Sequence, residues 1–128
     1  MGVDGIAGIS LFTAPERFEA MRAFYVEQLG LIEDPSKASQ RAAFTWGTPP
    51  DRLRLILSTH DAVEGESRDP NRVMINFLTY DLEALAARMA ERGVEFTHGP
   101  VQMSWGGMMA TFRDPDGNIL QLLQPAPV

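Results

Sequence analysis

The order of elements constrains this chain more than any single motif. A short strand, an amphipathic helix that stops at a glycine and three further strands are written twice in succession. Residues 6–12, IAGISLF, alternate as a half-buried strand does. Thr13 with Glu16 three residues on makes a capping-box pattern, and Pro15 is tolerated in the first helical turn. Phe18, Met21, Phe24, Tyr25 and Leu29 recur at helical spacing, which makes them core residues, and Gly30 predicts the stop. Glu16, Glu19 and Glu27 form the solvated face of that helix. Strands are predicted at 31–34, 41–46 and 53–58, with a turn at TPPD, 48–51. A polar stretch punctuated by Gly and Pro follows. The order then restarts with a strand at 72–80, RVMINFLTY. Asp81 caps a second helix with Leu82, Leu85, Ala86 and Met89 on its apolar face, ended by Gly93. Strands are predicted at 94–98, 105–112 and 118–124, the last two joined around DPDG with Gly117 left-handed.

The repeat is one of pattern, because identity between the halves is negligible. It predicts a single domain over 1–128, with module one at 5–59, a linker at 60–71 and module two at 72–126. A chain of 128 residues can bury one real core. The net charge of −6 makes nucleic acid an unsuitable partner, since binding it needs a basic surface. The acidity reads either as solubility or as attraction for a cationic ligand. No apolar run is long enough for a bilayer, and MGVDGIAG has neither a basic nor an apolar signal region, so a cytoplasmic protein is expected. Absence of cysteine removes disulfides, thiolate ligands and a cysteine nucleophile. Gly106-Gly107 lacks the flanking spacing of a phosphate loop, and no serine sits in a nucleophile elbow.

A strand, a helix ending AFYVEQLGL and a late FRDPDGNILQL, in this order and spacing, together resemble the vicinal oxygen chelate superfamily. This is the group of glyoxalase I, bleomycin-resistance proteins and extradiol dioxygenases. The likeness covers nearly the whole chain. It implies an α+β fold of two βαβββ modules, each a curled mixed sheet, combining into an open crevice that holds ligands, often across a homodimer. In metal-using members the ligands stand at stereotyped places. By that resemblance the places fall here on Gly8, Ile56, Met74 and Gln121. Glycine and isoleucine supply no ligand, a neutral amide brings no charge, and thioether sulfur is soft. His60 and His98 are the only histidines and lie outside those places, as turn or surface residues. No metal, no other cofactor and no catalytic residue are therefore expected.

Strand alternation sorts the faces. Ile9 and Leu11, Leu53, Leu55 and Leu57, Val73, Ile75 and Phe77, and Leu120 and Leu122 pack on the helices. Gly8, Ser10 and Phe12, Arg54, Ile56 and Ser58, Met74, Asn76 and Leu78, and Ile119, Gln121 and Leu123 line the crevice. Arg54 either pairs with a carboxylate of the fold or faces an anionic group of a ligand, because a buried guanidinium needs a partner. Trp46, Met103, Trp105, Met108 and Met109 fall near the mouth, where aromatic rings and polarizable sulfurs suit a flat ligand. For Met108 and Met109 packing in the core or at an interface is the plainer reading, and for Trp105 both readings stand. Asp114 and Asp116 read as turn formers. Taken together, the expected ligand site comprises Gly8, Ser10, Phe12, Trp46, Arg54, Ile56, Met74, Asn76, Trp105 and Gln121.

The reading that follows is a metal-independent small-molecule binding protein, sequestering an aromatic or cationic compound as resistance proteins do. Two alternatives stand beside it. One is a glyoxalase-like lyase or isomerase, or a dioxygenase, with non-standard site residues. The other is a dimeric module whose crevice is vestigial and filled by its own side chains.

Overall fold

The computed structural model describes residues 2–36 and 38–128. Strand β1 spans Gly8–Thr13. A 3-10 turn at Pro15–Arg17 leads into helix α1, Phe18–Ala23, which widens into a π turn at Phe24–Gln28. There the Leu29 N–H donates to the Phe24 carbonyl at 2.9 Å, one residue further back than in an α-helix. Strands β2, Arg41–Trp46, and β3, Leu53–Thr59, complete the first half. After a 3-10 turn at Pro70–Arg72 come β4, Met74–Leu78, and α2, Leu82–Glu91. Strands β5, Phe96–Gln102, β6, Met108–Arg113, and β7, Ile119–Gln124, follow.

The two halves build separate sheets by the same rule. In the first, β1 runs parallel to β3 and β2 antiparallel to it, giving the order β1-β3-β2. In the second, β4 runs parallel to β7, and the order is β4-β7-β6-β5. Each half thus pairs its opening strand with its closing one across a helical crossover. The result is an α+β fold with one three-stranded and one four-stranded mixed sheet, neither closed.

Three expectations are corrected. Residues 31–34 form no strand. The Leu31 N–H donates to the Tyr25 carbonyl and finishes the helix, while the Asp34 N–H reaches β2 at the Ala43 carbonyl, 2.8 Å away. Pro35 has no N–H with which to continue a ladder. The capping box at Thr13 also fails. Ala14 stands at the N-cap without a side-chain bond, and Thr13 stays in β1 and donates its hydroxyl to Asp116 at 2.6 Å. The strand predicted at 105–112 starts only at Met108, because 103–107 is a turn in which the Met103 N–H donates to the Gly107 carbonyl. Two features stand as expected. The Asp81 carboxylate accepts the Ala84 N–H at the start of α2, and Gly117 in the DPDG loop has φ +80°.

One buried cluster serves both sheets. Leu55, Leu57 and Phe44 from the first sheet join Ala110, Phe112, Leu120 and Leu122 from the second. Phe18, Met21, Phe24 and Tyr25 from the first helix, with Leu82 and Met89 of α2, fill the space between them. The Phe24 ring lies 6.1 Å from that of Phe112 and the Tyr25 ring 6.4 Å from that of Phe44, so the helix of the first half packs on both sheets. Burying these side chains is the main favourable term in holding the halves together.

Candidate functional site

Both sheets turn their leucine faces to the shared core, so their other faces point away from it. This follows from the strand pleat, in which alternate side chains take opposite faces. On the first sheet, register sets Thr45, Arg54 and Gly8 in one row and Ala43, Ile56 and Ser10 in the next. Arg41, Ser58 and Phe12 make a third. On the second sheet the rows are Met74, Ile119 and Arg113, and then Asn76, Gln121 and Thr111. Leu78, Leu123 and Met109 form the last row. Paired residues share a face, so each row is a band of neighbouring side chains. The residues that sequence alternation assigned to one lining occupy these two open faces, Gly8, Ser10, Phe12, Arg54 and Ile56 on one and Met74, Asn76 and Gln121 on the other. The two groups stand on different sheets.

The open face of the first sheet carries a cavity of about 500 Å³. Gly8, Ser10 and Ile56 form its strand side, Pro49 and Pro50 come from the β2–β3 turn, and Arg52 and Arg54 border it. Gly8 is required by close approach, because a Cβ there would lie 2.8 Å from the Arg54 carbonyl oxygen. Arg54 answers both alternatives in part. Its Nη2 is 3.9 Å from the Asp34 carboxylate, and its buried Nε has no hydrogen-bond partner. Asp34 is otherwise engaged, accepting the Thr45 hydroxyl at 2.5 Å.

On the second sheet Gln121 faces Thr111, with its amide nitrogen 3.5 Å from the hydroxyl oxygen. Met74 and Leu78 on the same face are 42% and 62% exposed, so this apolar face is uncovered. The four places where a metal-binding relative would hold ligands carry Gly8, Ile56, Met74 and Gln121, divided between the two open faces. Among the described residues no three His, Asp or Glu side chains come close enough to hold an ion. This donor set does not fit a catalytic divalent metal.

Trp46 lies off the open face of its sheet, and Trp105 lies in a turn. Trp46 has the parity of Ala42 and Phe44, and its ring sits 6.3 Å from that of Phe77, at the rim of the core. Trp105, half exposed, folds over Gly107 in the β5–β6 turn, where a glycine Cβ would collide with the indole. His60 accepts the Ala62 N–H in a turn and meets the Phe12 ring edge-on at 5.6 Å. His98 pairs with Thr111 at a β-bulge.

The DPDG loop does more than turn the chain. Asp116 is buried, accepts the Thr13 hydroxyl, and accepts Arg17 Nε at 2.5 Å. Asp114 accepts the Tyr25 hydroxyl at 2.7 Å and also bonds Asn118 and the Asp116 N–H. Burial pushes the Asp114 carboxyl above its usual range, against the bonds from Tyr25 and Asn118 that lower it. Burial likewise raises the Tyr25 hydroxyl well above its ordinary value. Both aspartates therefore fasten the last hairpin to β1 and the first helix. Periodicity could not foretell this, because the partners are remote in sequence. Thr45, Thr111 and Arg41 were also missed as residues of the open faces, although the alternation of β2 and β6 marks them. Arg52 lies outside a strand and carries no such mark.

Two mixed sheets on a shared core, each built from a strand, a helix and further strands and each leaving an open face, define a paired-module α+β fold. The model of the Glyoxalase/Bleomycin resistance protein/Dioxygenase superfamily matches residues 13–122, and the chain belongs to that superfamily. Among solved structures, TnmS3, an antibiotic-binding protein from Streptomyces sp. CB03234, is 26% identical with a TM-score of 0.70. The match covers 98% of this chain and 99% of that one. A glyoxalase/bleomycin resistance protein from the same Streptomyces strain is 26% identical over 94% of this chain and 100% of its own, with a TM-score of 0.65. A glyoxalase family protein from Bacillus anthracis shares the fold, with a TM-score of 0.74 at 16% identity over 98% of each chain. No curated protein matches this chain. Among the described residues no helix is long and apolar enough to cross a membrane.

Proposed function

We propose that this protein is a metal-independent small-molecule binder of the bleomycin-resistance type, which sequesters an aromatic compound in a crevice. The single observation that carries the reading is the content of the four ligand places, Gly8, Ile56, Met74 and Gln121, which hold no charged donor. Lyase, isomerase or dioxygenase chemistry in this superfamily would need those donors. The open faces supply instead apolar surface with a few amides, hydroxyls and a guanidinium, the composition of a small-molecule pocket. The likeness to an antibiotic-binding protein over nearly the full chain supports the same reading.

The crevice is completed by a second copy. Gly8 and Gln121 stand on separate sheets, and in this reading the first sheet of one chain closes over the second sheet of a partner. The exposed Met74 and Leu78 become buried in such a homodimer. The protein works in the cytoplasm.

The test is a thermal-shift screen against divalent metals and a panel of aromatic, cationic and antibiotic-like compounds, with and without EDTA. A ligand that binds only the folded state raises Tm, by mass action. Compounds are expected to shift Tm and metals are not, and EDTA is expected to leave the shifts intact. A metal-dependent shift, or loss of compound binding in EDTA, overturns the reading. Light scattering at micromolar concentration should give twice the monomer mass, and a strict monomer would overturn the shared crevice.

A further inference from the structure

The geometry points to an oxyanion, a carboxylate on an aromatic or apolar body, as the group held by the cavity beside Arg52 and Arg54 on the first sheet. This rests on the binding role proposed above and names the chemistry of its ligand. It also reverses the cationic ligand that net charge suggested. The chain carries a net charge of −6, yet among the described residues no Asp or Glu lines this cavity, and two arginines do. Much of the acid lies elsewhere, for example Glu64, Glu66 and Asp116, which line a separate hollow of about 350 Å³. A local reversal of sign selects an anion, because a desolvated wall focuses the field of the charges nearest it.

Arg54 has donors to spare. Its Nε is buried and unbonded, and its contact with Asp34 at 3.9 Å is too long for a hydrogen bond. An unpaired buried donor is costly and leaves the guanidinium short of partners, and the exposed third of the side chain is what a carboxylate would meet. Among the described residues Arg52 forms no salt bridge, so a second guanidinium is free to close on the same anion. Guanidinium and carboxylate match as planar forks, which gives direction as well as attraction. Ser10 offers a hydroxyl at the same wall. Ile56, Pro49 and Pro50 supply apolar surface for the body that carries the charge. The volume of about 500 Å³ suits a compound of one or two rings.

The experiment compares three molecules of one shape on the full chain: 1-naphthoate, 1-naphthamide and 1-naphthylmethylammonium. Binding is measured by calorimetry and by the Arg Nε–Hε signals in NMR. Naphthoate is expected to bind at least about tenfold tighter than the other two, from charge-assisted bonding, and to move the Arg54 signal. Arg54→Gln is expected to remove the preference and Arg54→Lys to restore part of it. Arg52→Gln, an exposed change that leaves the fold intact, should weaken naphthoate alone. Equal or tighter binding of the amide or the ammonium overturns the anion assignment and leaves the binding role standing. So does naphthoate binding that leaves the Arg54 signal unmoved. Binding of none of the three overturns the assignment too, and the wider screen then judges the binding role separately.

Discussion

Replacing Tyr25 with Phe removes one oxygen from the middle of the molecule and should act mainly through Asp114. That carboxylate accepts four bonds. Oδ2 takes the Tyr25 hydroxyl at 2.7 Å and Asn118 Nδ2 at 2.8 Å, and Oδ1 takes the N–H groups of Asp116 at 2.9 Å and Asn118 at 3.0 Å. The ring of Tyr25 is fully buried and would stay packed in the variant. A hydrogen bond to a buried charge contributes about 2 kcal/mol, so the midpoint of thermal unfolding should fall by about 7 °C at neutral pH. The pH dependence is more telling. Burial holds the folded carboxyl above its ordinary 3.8, so the folded state keeps its proton longer than the unfolded state. Its contribution to stability therefore falls as pH rises from the unfolded value through the folded one. The Tyr25 bond limits that fall by favouring the charged form, and without it the folded value rises further. Urea unfolding of wild type and Tyr25→Phe at pH 3 and pH 7 should show a clearly larger penalty at pH 7. A penalty of equal size at both, or one below about 0.5 kcal/mol at pH 7, would refute the reasoning.

Other outcomes follow from the same structure. Gly8→Ala should cost about 1–3 kcal/mol in urea unfolding, because its methyl meets the Arg54 carbonyl backbone and one strand must shift. Asp81→Ala removes the N-cap of α2 and should cost about 1 kcal/mol by the same assay. Trp46→Ala should lower stability through loss of packing on Phe77 while leaving ligand affinity unchanged, as calorimetry would show. Dialysis against a chelator should change neither Tm nor compound binding, since the ligand places hold no charged donor.

The helices, seven of the eight expected strands, and the faces of β1, β3, β4 and β7 could be read from alternation, because burial on one side imposes it directly. What failed was decided by partners remote in sequence. Thr13 looked like a cap because its neighbours fit one, but its hydroxyl bonds Asp116 across the core. Residues 31–34 have a strand-like sequence but no ladder to join. Trp46 was placed by its position at a strand end, although its parity with Ala42 and Phe44 already set it on the packed side. The bridging of the two sheets by the first helix was beyond any local signal. Phe24 meets Phe112 and Tyr25 meets Phe44, pairs far apart in the chain.

The shared core also fixes when the chain can fold as it is made. Leu55 and Leu57 are synthesised in the first half, yet they are buried in one cluster with Leu120 and Leu122. A nascent chain ending anywhere in the 60–71 stretch would expose that greasy face to the cell. Its first sheet would also lack the Asp116 latch on β1. Assembly must therefore wait for the final hairpin, which makes the early half a natural client for chaperones during translation.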